Sequence, residues 1–130
     1  MKKIFFTLLL LISSLYAELS NEYLSQKLLD SKMPIIDIRT PGEWKQTGII
    51  KDSIPIMFFN ERGGYNLEAF LNALNGKIDT TKPFALICRT GSRTKAVSGY
   101  LANELGFKVT NVVGGIMYPK MKNPPFVKYQ

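Results

Sequence analysis

Phe84-Ala85-Leu86-Ile87-Cys88-Arg89-Thr90-Gly91-Ser92-Arg93 decides the fold. Four consecutive apolar residues read as a strand buried on both faces, as in a parallel sheet covered by helices. The polar, Gly-containing turn after them leads straight into an apolar stripe at Val97, Tyr100, Leu101 and Leu105, which reads as a long helix ended by Gly106. A strand that turns sharply into a helix at its carboxyl end is a βα unit. Ligands of open α/β sheets bind at such ends.

Working upstream, Lys82-Pro83 opens the strand and Gly76 ends a helix whose stripe is Leu67, Phe70, Leu71 and Leu74. Asn60 to Tyr65, with Gly63-Gly64, reads as a loop, and Ser53-Ile54-Pro55-Ile56 as a short strand. Pro55 suits the end of that strand or a sheet edge. Thr40-Pro41-Gly42-Glu43 is a capping box with proline at the first helical position, so a short helix carrying Trp44 begins there and ends near Thr47-Gly48. Ile35 to Ile38 forms a second buried strand. Ser20 is expected to cap a helix from about Asn21 to Ser31, with Tyr23, Leu24 and Leu28 on one face. Downstream, Val109 to Val113 forms the last strand, followed by Gly114-Gly115. The alternation of strands and helices predicts an α/β fold with a mostly parallel sheet.

At 130 residues, 45% hydrophobic and 21% charged, the chain suits one globular domain. Lys2-Lys3, the apolar run Ile4 to Ile12 and Ala17 before Glu18 have the form of a secretory signal peptide, with cleavage expected after Ala17. The run is shorter than the roughly 20 residues that span a bilayer. The expected organisation is a signal peptide over 1–17 and one domain over 18–130, with its core at about 19–118 and a tail over 119–130. The mature chain is then periplasmic and meets the membrane only during export. The net charge of +7, from 17 basic and 10 acidic residues, becomes +5 when Lys2 and Lys3 are removed. That balance suits an anionic substrate or a membrane surface. Basic residues are not interleaved with aromatics in a nucleic-acid pattern.

Two counts narrow the chemistry. Cys88 is the single cysteine, so the chain forms no internal disulfide. It has no histidine, which excludes a Ser-His-Asp triad, a Cys-His pair and a His-ligated metal. Activation of Cys88 must come from its loop. The start of the following helix carries about half a positive charge and amides without helical partners. Thr90-Gly91-Ser92 can present successive N–H groups as an anion nest, and Arg89 and Arg93 add two cations. The alternative reading, a buried cysteine that merely fills space, does not account for this context.

Asp37-Ile38-Arg39-Thr40-Pro41-Gly42-Glu43-Trp44 and Ile87-Cys88-Arg89-Thr90-Gly91-Ser92-Arg93-Thr94 resemble the two signature motifs of the rhodanese family, and Gly114-Gly115 is similar to the family's turn after its last strand. The likeness covers about Leu19 to Tyr118. It implies a three-layer α/β fold with four to five strands, and a sulfurtransferase that moves sulfane sulfur from thiosulfate or a similar anionic donor to cyanide, a thiol or a protein acceptor. Cys88 would be the persulfide-forming nucleophile, without cofactor or metal. Arg89, Thr90, Gly91, Ser92 and Arg93 would hold the donor. Asp37, Arg39 and Glu43 would form a buried charge network supporting the loop, with Trp44 in the core.

The sequence departs from the family where Gly48-Ile49-Ile50-Lys51-Asp52-Ser53 replaces Gly-His-Ile-x-Gly-Ala, where Pro119 stands for a common tryptophan, and in a first strand that is short or absent near Leu19. A persulfide carrier or sulfide sensor without turnover is the second reading. A Cys-dependent phosphatase or arsenate reductase is the third; those enzymes place arginine six residues after cysteine, where this chain has Thr94.

Overall fold

The computed structural model describes residues 18–130. The expected signal peptide and its cleavage site lie outside the described residues. Among those residues no helix is long and apolar enough to cross a membrane.

Five parallel strands form the central sheet in the order β1-β6-β5-β2-β4: β1 (Leu19–Tyr23), β2 (Ile35–Asp37), β4 (Ile54–Pro55), β5 (Phe84–Ile87) and β6 (Val109–Val113). A separate antiparallel pair joins β3 (Ile49–Ile50) to β7 (Phe126–Val127). Four helices stand among the described residues: α1 (Gln26–Asp30), α2 (Pro41–Thr47), α3 (Leu67–Lys77) and α4 (Ser92–Asn103). The expected α/β fold with a mostly parallel sheet flanked by helices is the fold observed.

The period-two alternation of β5 sorts the core into two layers. Phe84, Leu86 and Cys88 share one cluster with Phe70 and Leu74 of α3 and Val97 and Leu101 of α4. Ala85 and Ile87 share the opposite cluster with Leu24, Leu28, Ile50 and Ile116. All four β5 residues are buried, so the strand needs no polar face. Pro55 lies on the sheet's edge strand, where its missing N–H leaves no ladder bond unmade.

The expected helix from Asn21 is corrected. Leu19–Tyr23 is a full strand paired in register with Val109–Val113, and the helix begins only at Gln26. Ser20 does not cap it. Its hydroxyl lies 2.6 Å from the Thr110 hydroxyl on β6, and Ser25 caps α1 by accepting from the Leu28 N–H. Pairing with a distant strand overrides the local helical spacing of Tyr23, Leu24 and Leu28. The family's first strand is therefore present. Two smaller differences follow from the same competition of local and tertiary signals. Gly76 lies inside α3 and Ile78 caps it, while α4 ends at Asn103, before Leu105, which is exposed like Tyr100, and the polar Thr94 and Ser98 are buried instead.

The tail beyond Tyr118 is packed. β7 lies against β3, the Lys51 N–H donates to the Pro125 carbonyl at 2.7 Å, and the Tyr129 ring meets Trp44 edge-on at 5.2 Å.

Candidate active site

Cys88 follows β5, the middle strand of the sheet, at its carboxyl end, and its side chain is fully buried. The chain turns at Gly91, which adopts φ +97, and α4 starts at Ser92 with no side-chain cap on its first amides. Only glycine takes this conformation without strain. The Gly91 N–H donates to Cys88 Sγ at 3.2 Å, and Thr94 Oγ1 lies 3.6 Å from the sulfur.

A second segment fixes the back of this loop. The Cys88 carbonyl accepts from the Ile116 N–H and the Arg89 carbonyl from the Met117 N–H, each at 3.0 Å. Both carbonyls are thereby held away from the sulfur, and an N–H donor faces it. The strap lies so close that a Cβ on Gly115 would collide with the carbonyls of Cys88 and Arg89. A Cβ on Gly91 would stand 2.7 Å from the Gly114 nitrogen. Gly91, Gly114 and Gly115 thus let two backbone turns touch.

Arg93 was expected to face an anionic donor. Its guanidinium instead grips Glu43, with Nη1 donating to Oε1 at 2.7 Å and Nη2 to Oε2 at 2.8 Å. Glu43 Oε1 also accepts from the Thr40 N–H and hydroxyl, completing the expected capping box of α2. The hydrogen bond from Arg93 is the main reason that the Glu43 carboxyl is lowered from 4.5 to about 2; partial burial opposes the shift and the Thr40 N–H reinforces it. Arg93 is correspondingly raised, first by the bond to Glu43, against burial, with smaller contributions from the charges at Glu43, Cys88 and Asp37.

The expected single charge network of Asp37, Arg39 and Glu43 is two separate ion pairs. Arg39 and Asp37 are fully buried together, with Arg39 Nη2 donating to Asp37 Oδ2 at 2.8 Å and Nε to Oδ1 at 2.9 Å. Arg39 also donates to Thr47 Oγ1 and to the Gly48 carbonyl. Glu43 belongs with Arg93 instead. Arg89 and Thr90 are exposed at the loop, and Arg89 makes no ion pair among the described residues. Trp44 is buried, as the resemblance implied.

Sequence reasoning missed Thr94 and the strap. Thr94 is fully buried and donates to the Gly91 carbonyl at 3.2 Å, tying the first turn of α4 to the loop. A threonine on the helix face that carries Val97 and Leu101 was the available signal. The strap left only the paired glycines, whose partner loop lies far away in the chain.

A model of the rhodanese-like domain family matches residues 20–118. An uncharacterized protein of Rickettsia prowazekii is 34% identical over 84 residues, 62% of this chain and 66% of the relative, so the chain spans just under two thirds of that protein's length. A sulfurtransferase of Allochromatium vinosum is 29% identical over 101 residues, covering 77% of this chain and 84% of its own. A crystal structure of a protein from M. tuberculosis shares the fold with a TM-score of 0.60 at 17% identity, over 75% of this chain and 80% of that one. With the family model matching residues 20–118, around the cysteine loop and its strap, this chain belongs to the rhodanese-like family.

Proposed function

We propose that the protein takes sulfane sulfur from thiosulfate or a similar anionic donor as a persulfide on Cys88 and hands it to a thiophilic acceptor. The observation that carries this reading is the Gly91 N–H aimed at Cys88 Sγ while the neighbouring carbonyls are tied back. The Cys88 thiolate attacks the outer sulfur of the donor, the donor's S–S bond breaks, and sulfite leaves with the electron pair. Negative charge on the new terminal sulfur is met by the loop amides and the start of α4, whose first amides have no side-chain cap. The acceptor then attacks the terminal sulfur of the persulfide, and the thiolate returns to Cys88. With Arg93 held by Glu43, Arg89 is the cation left to draw the donor in.

We further propose that the mature protein is a single periplasmic domain beginning at Glu18, a reading supported by the residues before it. Incubation with thiosulfate is expected to add ~32 Da to Cys88, the mass of one sulfur atom on a reversibly capped thiol, and cyanide is expected to remove it. Cys88→Ser abolishes both. An unmodified wild type, or turnover that survives in Cys88→Ser, refutes the reading. Export is checked by the N-terminal residue of the protein recovered from the periplasmic fraction.

A further inference from the structure

The central sheet ends in two edge strands, β4 and β1. A bare edge invites pairing with another chain, and proteins blunt it with short strands, proline or lysine. β4 is blunted in this way, since it has only the two residues Ile54–Pro55. β1 is not. Leu19–Tyr23 is a five-residue strand without proline, glycine or lysine, and Leu19 and Tyr23 are 40% and 37% exposed.

The backbone of β1 divides by residue. The Val109 N–H donates to the Glu18 carbonyl and the Lys120 N–H to the Leu24 carbonyl. With Leu19 in register with Val109, this phase turns the amides and carbonyls of Ser20 and Glu22 toward β6 as well. The N–H and C=O groups of Leu19, Asn21 and Tyr23 therefore point away from the sheet, and none of them has a hydrogen-bond partner among the described residues. Side chains hold this edge in order. Asn21 Oδ1 accepts from Asn111 Nδ2 at 3.0 Å, and the Lys120 ammonium lies 4.1 Å from the centre of the Tyr23 ring.

We infer that β1 is a pairing edge whose occupant is a second copy of this chain, running antiparallel about a two-fold axis at Asn21. The outward groups are self-complementary in that register. Asn21 exchanges two bonds with Asn21 of the second copy, and each Leu19 exchanges two with a Tyr23, which makes six backbone bonds. Each Leu19 side chain then lies opposite a Tyr23 ring, a favourable aliphatic–aromatic pair. Ser20 stands opposite Glu22, so no like charges are directly opposed. Sliding one strand by two residues leaves four of the six bonds, and in one direction sets Glu22 opposite its own copy. The arrangement puts the two Cys88 loops at opposite ends of the joined sheet and is independent of the sulfur chemistry. Five residues a side fall well short of the roughly 20–30 of a standard stable interface, so the dimer is weak and concentration-dependent.

Sedimentation velocity and amide hydrogen exchange test this on the protein as recovered from cells, from low micromolar to near-millimolar concentration. The mean mass is expected to rise toward that of a dimer. Exchange of the Leu19, Asn21 and Tyr23 amides slows with it, while the Ser20 and Glu22 amides stay protected throughout. Asn21→Pro deletes an outward N–H and no backbone bond to β6, and is expected to weaken association about tenfold or more. Should that variant fail to fold, two double variants read the register. Leu19→Lys with Tyr23→Glu opposes unlike charges and is expected to associate about tenfold more tightly than Leu19→Glu with Tyr23→Glu, which opposes like ones. Equal association of the two overturns the inference. So does a monomer at every concentration, including one whose outward amides slow only when another protein is added. A dimer whose three outward amides exchange no slower pairs through another face, and a dilute monomer in which they are already slow covers the edge with its own chain; either result overturns it.

Discussion

Glu43 titrates at about 2 because Arg93 donates two hydrogen bonds to its carboxylate. The folded value lies below the ordinary 4.5, so ionised Glu43 favours the folded state. That contribution is complete above about pH 4.5 and fades as pH falls toward 2. Both side chains are about a quarter exposed, so solvent screening reduces the effect to about 1 kcal/mol or less. Glu43→Gln is therefore expected to lose about that much at pH 7 and to differ little from wild type near pH 2, as read from urea midpoints across the range. It also frees Arg93, so its KM for thiosulfate reports whether the released guanidinium joins the donor site. Gly115 is the more severe position. It combines φ +57 with contact against the carbonyls of Cys88 and Arg89. Gly115→Ala must pull the strap off the loop or strain the backbone, at about 1–3 kcal/mol. Urea unfolding measures the loss, and a fall in Cys88 persulfide yield larger than the unfolded fraction would localise it to the loop.

At the level of elements, what could be read in the chain divides by the range of the interactions that form it. α2 was legible to the residue, because Thr40, Pro41 and Glu43 make its cap within four positions. β5 was legible because its burial on both faces writes a continuous apolar run, and β6 because its valines flank Thr110 and Asn111 just before the paired glycines. β1 was not, because its strand character comes from β6, with the Ser20–Thr110 contact closing across 90 positions. The Glu43–Arg93 pair spans 50 positions and was unreadable for the same reason. β7 is the extreme case, since its ladder partners Ile49 and Ile50 lie far back in the chain and nothing in the tail itself marks it as ordered. Gly48 has φ +76, and a Cβ there would stand 2.5 Å from the Val127 carbonyl oxygen. Gly48→Ala is accordingly expected to displace β7 and cost about 1–3 kcal/mol in strain. Hydrogen exchange at the Lys51 amide, which donates to Pro125, should accelerate before any change at β5. Unchanged protection there would mean that the tail tolerates the side chain.

Across the molecule, the buried Asp37–Arg39 pair joins parts that share little else. Arg39 leaves the end of β2, meets both oxygens of Asp37, and reaches Thr47 and Gly48 at the far end of α2. Those contacts set the position of α2, hence of Glu43, hence of Arg93 on the first turn of α4. They also hold the Gly48 backbone against which β7 packs. Removing one partner leaves a fully buried charge without compensation, which costs about 3–5 kcal/mol. Set against a total of about 5–15 kcal/mol for a domain, Asp37→Ala should lower the urea midpoint by about a fifth of its value or more. The slope should stay that of wild type if the domain still unfolds as one unit. Arg39→Met in the same background removes the orphaned guanidinium and is expected to recover part of the loss, because the site then holds no unpaired charge. The distinguishing measurement is the Arg93 side-chain signal in the double variant. If stability returns while Arg93 detaches from Glu43, the buried pair serves to place α2 under the cysteine loop. If Arg93 stays on Glu43 in both variants, the pair acts on stability alone and the loop is positioned by the strap.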